Sequence, residues 1–158
     1  MTIVTKHFCD QCGDEVDKDD PHDCPQDPAN VAKKQEEFRE WEAEYNRNKE
    51  AWEAWGSETL LKSCVPSVDS YPEETAVEGY CVLCVDQEDG SGYYPTSAVL
   101  FNPTWGQVAL EFDRAIGYTR DFHHCFLEGL HALEKPEDIS KYGSFGADVK
   151  FFEFATGS

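Results

Sequence analysis

The residues whose chemistry is easiest to read stand at the start of the chain, in the run His7-Phe8-Cys9-Asp10-Gln11-Cys12-Gly13 and in His22-Asp23-Cys24. Together Cys9, Cys12, His22 and Cys24 form the pattern C-x2-C-x9-H-x-C. Two cysteines separated by two residues, with a glycine directly after, turn tightly enough for both thiolates to reach one ion. His22 and Cys24 complete four ligands, which leaves no open position, so the expected metal is a structural zinc rather than a catalytic one. His7 is an alternative to His22 as the fourth ligand. A redox C-x-x-C would sit at a helix N-terminus after a strand; this one lies in a loop of glycine and aspartate. Asp14, Glu15, Asp17, Asp19 and Asp20 surround the ligands, with Lys18 the one base among them. Exposed like charges at close range cost about 1 kcal/mol each, whereas structural zinc contributes an apparent 10 kcal/mol or more. The metal therefore dominates.

A second constellation is His123, His124, Cys125, Glu128 and His131. On a helix His124, Glu128 and His131 share one face, four and three residues apart, where a metal-dependent enzyme could hold its ion. Sites built from Glu-x-x-His need a second copy of the motif, and the sequence has none. Cys125 gains no base from its neighbours, because adjacent helical residues point about 100° apart. Cys81 and Cys84 repeat the two-residue spacing, but on the apolar run Cys81-Val82-Leu83-Cys84-Val85. In a strand, residues three apart face opposite ways, so these read as buried small hydrophobes. The alternative is a second zinc site completed by Cys64 or Cys125. There is no phosphate-binding glycine loop, no G-x-S-x-G and no H-E-x-x-H. No residue is assigned a catalytic role, and zinc is the one expected cofactor.

The elements that must position these residues follow from capping and periodicity. Asp27 can cap a helix that starts with Pro28, and Gly56 follows its last apolar residue. Val31, Phe38, Trp41, Tyr45, Trp52 and Trp55 recur at three-four spacing, the mark of one helix face. Such a helix, about 42 Å long at about 1.5 Å per residue, is expected to pack its stripe on the C-terminal domain, with a homodimer seam as the other use. Tyr80–Asp86 and Tyr93–Phe101 are expected strands flanking the turn Glu88-Asp89-Gly90-Ser91-Gly92. Asn102 and Pro103 predict a helix to Gly117. A second helix over 119–133 follows, then a break at Lys135-Pro136, a helical turn over 137–141 and a closing strand over 149–154. The expected fold is α+β: a zinc knuckle over 1–27, a linking helix over 28–62, and over 63–158 a small, mainly antiparallel sheet packed by two helices.

Thirty-two acidic residues against thirteen basic ones give a net charge of −19. Nucleic acid and anionic membrane are thereby excluded as simple electrostatic partners, and basic protein surfaces are favoured. No apolar run approaches the roughly 18 residues of a membrane span and no signal peptide is apparent, so a cytoplasmic location is expected. Between Ser63 and Leu110 there is no Lys or Arg, and seven acids concentrate the charge: Asp69, Glu73, Glu74, Glu78, Asp86, Glu88 and Asp89. Salt adaptation would also give acidity, but here lysines outnumber arginines nine to four and large aromatics abound.

The first 25 residues or so, through Cys9, Cys12, His22 and Cys24, resemble the small zinc ribbons and knuckles of bacterial and phage proteins. That resemblance implies a fold type and no activity. In size, acidity and absence of catalytic motifs the whole chain is similar to phage-encoded inhibitors of host defence, such as anti-CRISPR and anti-restriction DNA mimics. The implied function is inhibition of a basic, nucleic-acid-handling protein, in the host cytoplasm if the chain is phage-encoded. An immunity protein against a toxin nuclease is the alternative binding role, and a metal-dependent enzyme near His124 the alternative class.

Overall fold

The computed structural model describes residues 7–10, 12–16, 24–59, 61–87 and 91–157. They form two compact units, residues 1–46 and 47–158, and the boundary falls inside the long helix. The class is α+β: a long helix, a shorter one and a six-stranded mixed sheet.

In the first unit β1 (His7–Phe8) and β2 (Glu15–Val16) make a minimal antiparallel hairpin. Helix α1 (Pro28–Thr59) begins where expected. The Asp27 carboxylate accepts the Ala29 N–H at 2.8 Å, and Val31 N–H reaches the Asp27 carbonyl at 2.9 Å. Ion pairs Lys33–Glu37 (3.7 Å) and Glu36–Arg39 (3.2 Å) lie on its solvated surface and are worth a few tenths of a kcal/mol each. The apolar stripe, however, is not continuous core. Val31, Phe38, Trp41 and Tyr45 are exposed, with the last three rings in file at centroid separations of 5.7 and 5.5 Å. Periodicity marks a face as apolar without saying whether anything covers it.

In the second unit the sheet order is β3 (Val65–Pro66), β7 (Phe126–Leu133), β8 (Lys150–Gly157), β4 (Tyr80–Gln87) and β5 (Gly92–Pro95), and β6 (Leu100–Phe101) also pairs with β4. Strand β4 is an inner strand, between β8 on one edge and β5 and β6 on the other, and Cys81, Val82, Leu83 and Cys84 are all fully buried; a strand covered on both faces reads as a continuous apolar run. The sheet is mixed rather than mainly antiparallel: β4–β8 and β3–β7 are parallel. The expected strand over 93–101 is two short strands, β5 and β6, each antiparallel to β4. The centre of the expected turn, residues 88–90, lies outside the described residues.

Helix α2 (Trp105–Thr119) starts two residues later than expected, because Thr104 and Gln107 form a reciprocal capping box: Thr104 Oγ1 accepts Gln107 N–H at 3.3 Å and Gln107 Oε1 accepts Thr104 N–H at 3.0 Å. That pairing satisfies two donors at once. Asn102 instead has φ 46°, and its side chain accepts the Gly79 N–H at 2.7 Å. The helix expected over 119–133 is absent. Its place is taken by a loop and by β7, which makes a seven-pair antiparallel ladder with β8. Phe126-Leu127, Leu130 and Leu133 have helical spacing, but pairing on both edges of the strand outweighs that local signal. A 3-10 helix (Ile139–Tyr142) covers the far face.

Two apolar layers flank the sheet. On one side Leu83, Leu127 and Phe154 meet Val108, Phe112 and Ile116 of α2, together with Trp52 and Cys64; on the other Val82 and Cys84 meet Ile139 and Phe151. The end of α1 belongs to the first layer. A Cβ on Gly106 would stand 2.6 Å from the Trp55 ring, so α2 and α1 approach closely at a position only glycine permits. The loop after α1 is held by one carboxylate: Asp113 Oδ1 accepts the N–H groups of Lys62, Ser63 and Cys64 at 3.2, 2.6 and 2.8 Å. Nothing local in the sequence announces this, since the partners lie about fifty residues away. Asp113→Ala leaves three donors without their acceptor and is expected to cost about 2–4 kcal/mol. Asp113→Asn, which keeps an acceptor oxygen without its charge, should cost less than half of that in chemical denaturation.

Candidate metal centre and acidic cleft

The sulfurs of Cys9, Cys12 and Cys24 lie within 4.8 Å of one another, and among the described residues this is the one set of three or more ligating groups placed to share an ion. The hairpin makes the approach possible. Gly13 takes φ 78°, its N–H donates to the Cys9 carbonyl at 2.9 Å, and Cys9 N–H donates to the Asp14 carbonyl at 2.9 Å. A side chain at position 13 would be strained in that left-handed turn. Cys24 is buried, and its carbonyl accepts from Asn30 Nδ2 at 2.7 Å and from Asp27 N–H at 3.1 Å, which locks it to the start of α1. A backbone hydrogen bond involving Asp14 favours the Cys12 thiolate, but desolvation and hydrogen bonds with Cys9 and Cys24 outweigh it and push the thiol up to about 12. A cation placed among these sulfurs would favour the Cys12 thiolate. A tetrahedral site with metal–sulfur bonds of about 2.3 Å separates its sulfurs by about 3.8 Å, a span this cluster accommodates. The three cysteines can hold a metal ion. His22 lies outside the described residues, as does the side chain of His7.

The second constellation is not assembled. His124 lies in the loop before β7, where its Nδ1 pairs with Asp121 Oδ2 at 2.9 Å. That hydrogen bond is the main reason the Asp121 carboxyl sits below its usual range, helped by the backbone N–H of His123. Glu128 is the extra residue of a bulge between Leu127 and Gly129, and His131 stands opposite Glu153 on β8. The expected common face depended on a helix, and the strand scatters the three. Cys81 and Cys84 also part company. Cys84 shares a layer with Val82, while alternation puts Cys81 with Leu83 on the other side. Burial is the main reason both thiols are raised, to about 11 and about 12.

Sequence reasoning missed a cleft of about 560 Å³ in the second unit. It arises where the central parallel pair splits. Strands β4 and β8 run together only as far as Cys84 and Glu153, although each continues for three residues or more. Beyond that point each keeps only its outer partner, and the gap between them is roofed by the end of α2. Crevices at the carboxyl ends of parallel strands are where open sheets commonly bind ligands, and the volume lies in the range of ligand pockets. Its floor is Phe112, Ile116 and Phe154; its rim carries Asp86, Asp121 and Glu153, and among the described residues no Lys or Arg lines it. The pairing that opens this space joins residues about seventy positions apart, so no local signal marks it.

No protein-family model matches the sequence, and neither the curated proteins nor the solved structures yield a significant similarity. The likeness to zinc knuckles therefore rests on cysteine spacing and geometry alone. No helix among the described residues is long and apolar enough to cross a membrane.

Proposed function

We propose that this chain is a non-enzymatic acidic binding protein that engages a basic, nucleic-acid-handling protein and competes with its nucleic acid. The observation that carries the reading is the charge: −19 overall, with 48 consecutive residues, 63–110, that hold no Lys or Arg. Duplex DNA shows one phosphate charge per about 1.7 Å, and a protein surface evolved to hold DNA is complementary to dense carboxylates. The cleft gives this a local anchor. Its apolar floor and three rim carboxylates suit the aliphatic stem and cationic head of a Lys or Arg side chain. The knuckle supplies structure, with Zn2+ held by Cys9, Cys12 and Cys24 and by His22 as fourth ligand. Inhibition of a defence nuclease or CRISPR-type complex fits this chemistry, and neutralisation of a toxin nuclease is the same chemistry with another partner.

The test uses the immobilised full chain against purified nucleases, restriction subunits and CRISPR effectors. A true target is retained at low salt, released steeply as ionic strength rises, and displaced by excess duplex DNA. The doubly substituted Asp86→Asn, Glu153→Gln chain should bind several-fold more weakly, since exposed pairs are worth about 0.2–1 kcal/mol each. Retention indifferent to both salt and DNA would overturn the reading.

A further inference from the structure

Two thiols outside the metal cluster are brought together by the one parallel contact at the edge of the sheet. Val65 and Phe126 are register partners in the β3–β7 pair, and Val65 N–H donates to the Cys125 carbonyl at 2.8 Å. Cys64 and Cys125 therefore stand one step before the ladder, side by side where the two segments enter neighbouring strands. Such neighbours lie about 4.8 Å apart, inside the roughly 4.4–6.8 Å between Cα atoms that a disulfide spans. Both side chains also face the same way, because both pack against the layer formed by Leu127, Val108 and Phe112. Cys64 is 7% exposed and Cys125 half-buried. The two groups are close enough for a Cys125 thiolate to disfavour ionisation of Cys64, after burial and Asp113.

We propose that Cys64 and Cys125 are a modification site: a reversible disulfide that closes when the protein meets hydrogen peroxide. The more accessible Cys125 thiolate attacks one peroxide oxygen, the O–O bond breaks, and hydroxide leaves and is protonated, giving a sulfenic acid. Cys64, on losing its proton, attacks the Cys125 sulfur; the S–O bond breaks and the departing hydroxide takes up that proton. Two thiols and one peroxide become one disulfide and two waters. The second step is slow, because burial keeps Cys64 protonated. Strand β3 has two residues and lies at the sheet edge, so the bond would fasten the segment that leads from α1 into the sheet. It would also anchor the loop of Asp121 and His124, which precedes Cys125 directly.

Peptide mapping of the metal-loaded full chain decides the matter. The protein is treated with hydrogen peroxide, alkylated without reduction and digested. The expected product is a cross-linked pair of peptides carrying Cys64 and Cys125, lighter by two hydrogens than the two thiol peptides and separated again by a dithiol. Its formation should raise the thermal midpoint reversibly, and Cys125→Ser should abolish both the cross-link and the rise while leaving Cys64 alkylatable after unfolding. Recovery of Cys125 as sulfinic acid with Cys64 unlinked would overturn the proposal. So would cross-links confined to Cys9, Cys12 and Cys24.

Discussion

With zinc at the cluster as proposed, replacing Cys12 with serine is expected to abolish metal binding, and to unfold the hairpin of β1 and β2 while leaving residues 47–158 folded. Little else holds that hairpin. Strands β1 and β2 have two residues each, and Cys24 is the one residue of residues 7–27 that is buried among those described. Segments this small rarely fold without a metal or disulfide. Structural zinc supplies an apparent 10–16 kcal/mol, far more than a two-residue ladder can. Serine keeps the size but offers a hard hydroxyl where zinc prefers a soft thiolate, so the loss is not a matter of packing. Elemental analysis reads the stoichiometry, and amide exchange reads the hairpin: backbone N–H groups of Cys9 and Gly13 should lose all protection. A strong chelator should give the same exchange pattern in the unaltered chain. Full metal retention by the variant, or protected amides in its metal-free form, would remove the metal centre as the organiser of this unit.

The parts of this design that were legible in the sequence are those set by near neighbours. The spacing of Cys9 and Cys12 with Gly13 behind them is a local geometry, and so is the Asp27 cap on α1. The burial of Cys81 through Cys84 followed from a continuous apolar run. What failed is equally specific. The segment 126–133 has helical spacing, yet it is a strand because β3 and β8 offer it partners on both edges, and those lie about sixty and twenty-five residues away. With that helix gone, the apparent face of His124, Glu128 and His131 disappears too. Asn102 and Pro103 make a plausible helix start, but Thr104 with Gln107 satisfies two backbone donors where Asn102 satisfies one. The cleft and the Asp113 anchor were invisible because each is made by distant pairing alone. Helical periodicity, finally, reports only that a face is apolar.

The apolar stripe of α1 contains residues of opposite worth. Trp52→Ala is expected to destabilise the second unit by about 3–5 kcal/mol, the cost of truncating a large buried aromatic, while Trp41→Ala should stay within about 0.5 kcal/mol. Both are tryptophans on one face of one helix, eleven residues apart. Trp52 is 6% exposed, meets Trp55 edge-on at 5.5 Å, and donates its indole N–H to the Ser70 carbonyl at 2.9 Å. Its removal opens a cavity beside α2 and leaves that carbonyl without its donor. Trp41 is 59% exposed, and its ring neighbours are the exposed Phe38 and Tyr45. Trp52→Phe separates the two contributions, because it keeps most of the ring and loses only the hydrogen bond, for which about 1–2 kcal/mol is expected. Urea unfolding followed by circular dichroism orders the three variants. Equal losses for Trp41→Ala and Trp52→Ala would mean that the whole stripe is covered in solution, and that the exposed half of α1 has a partner there.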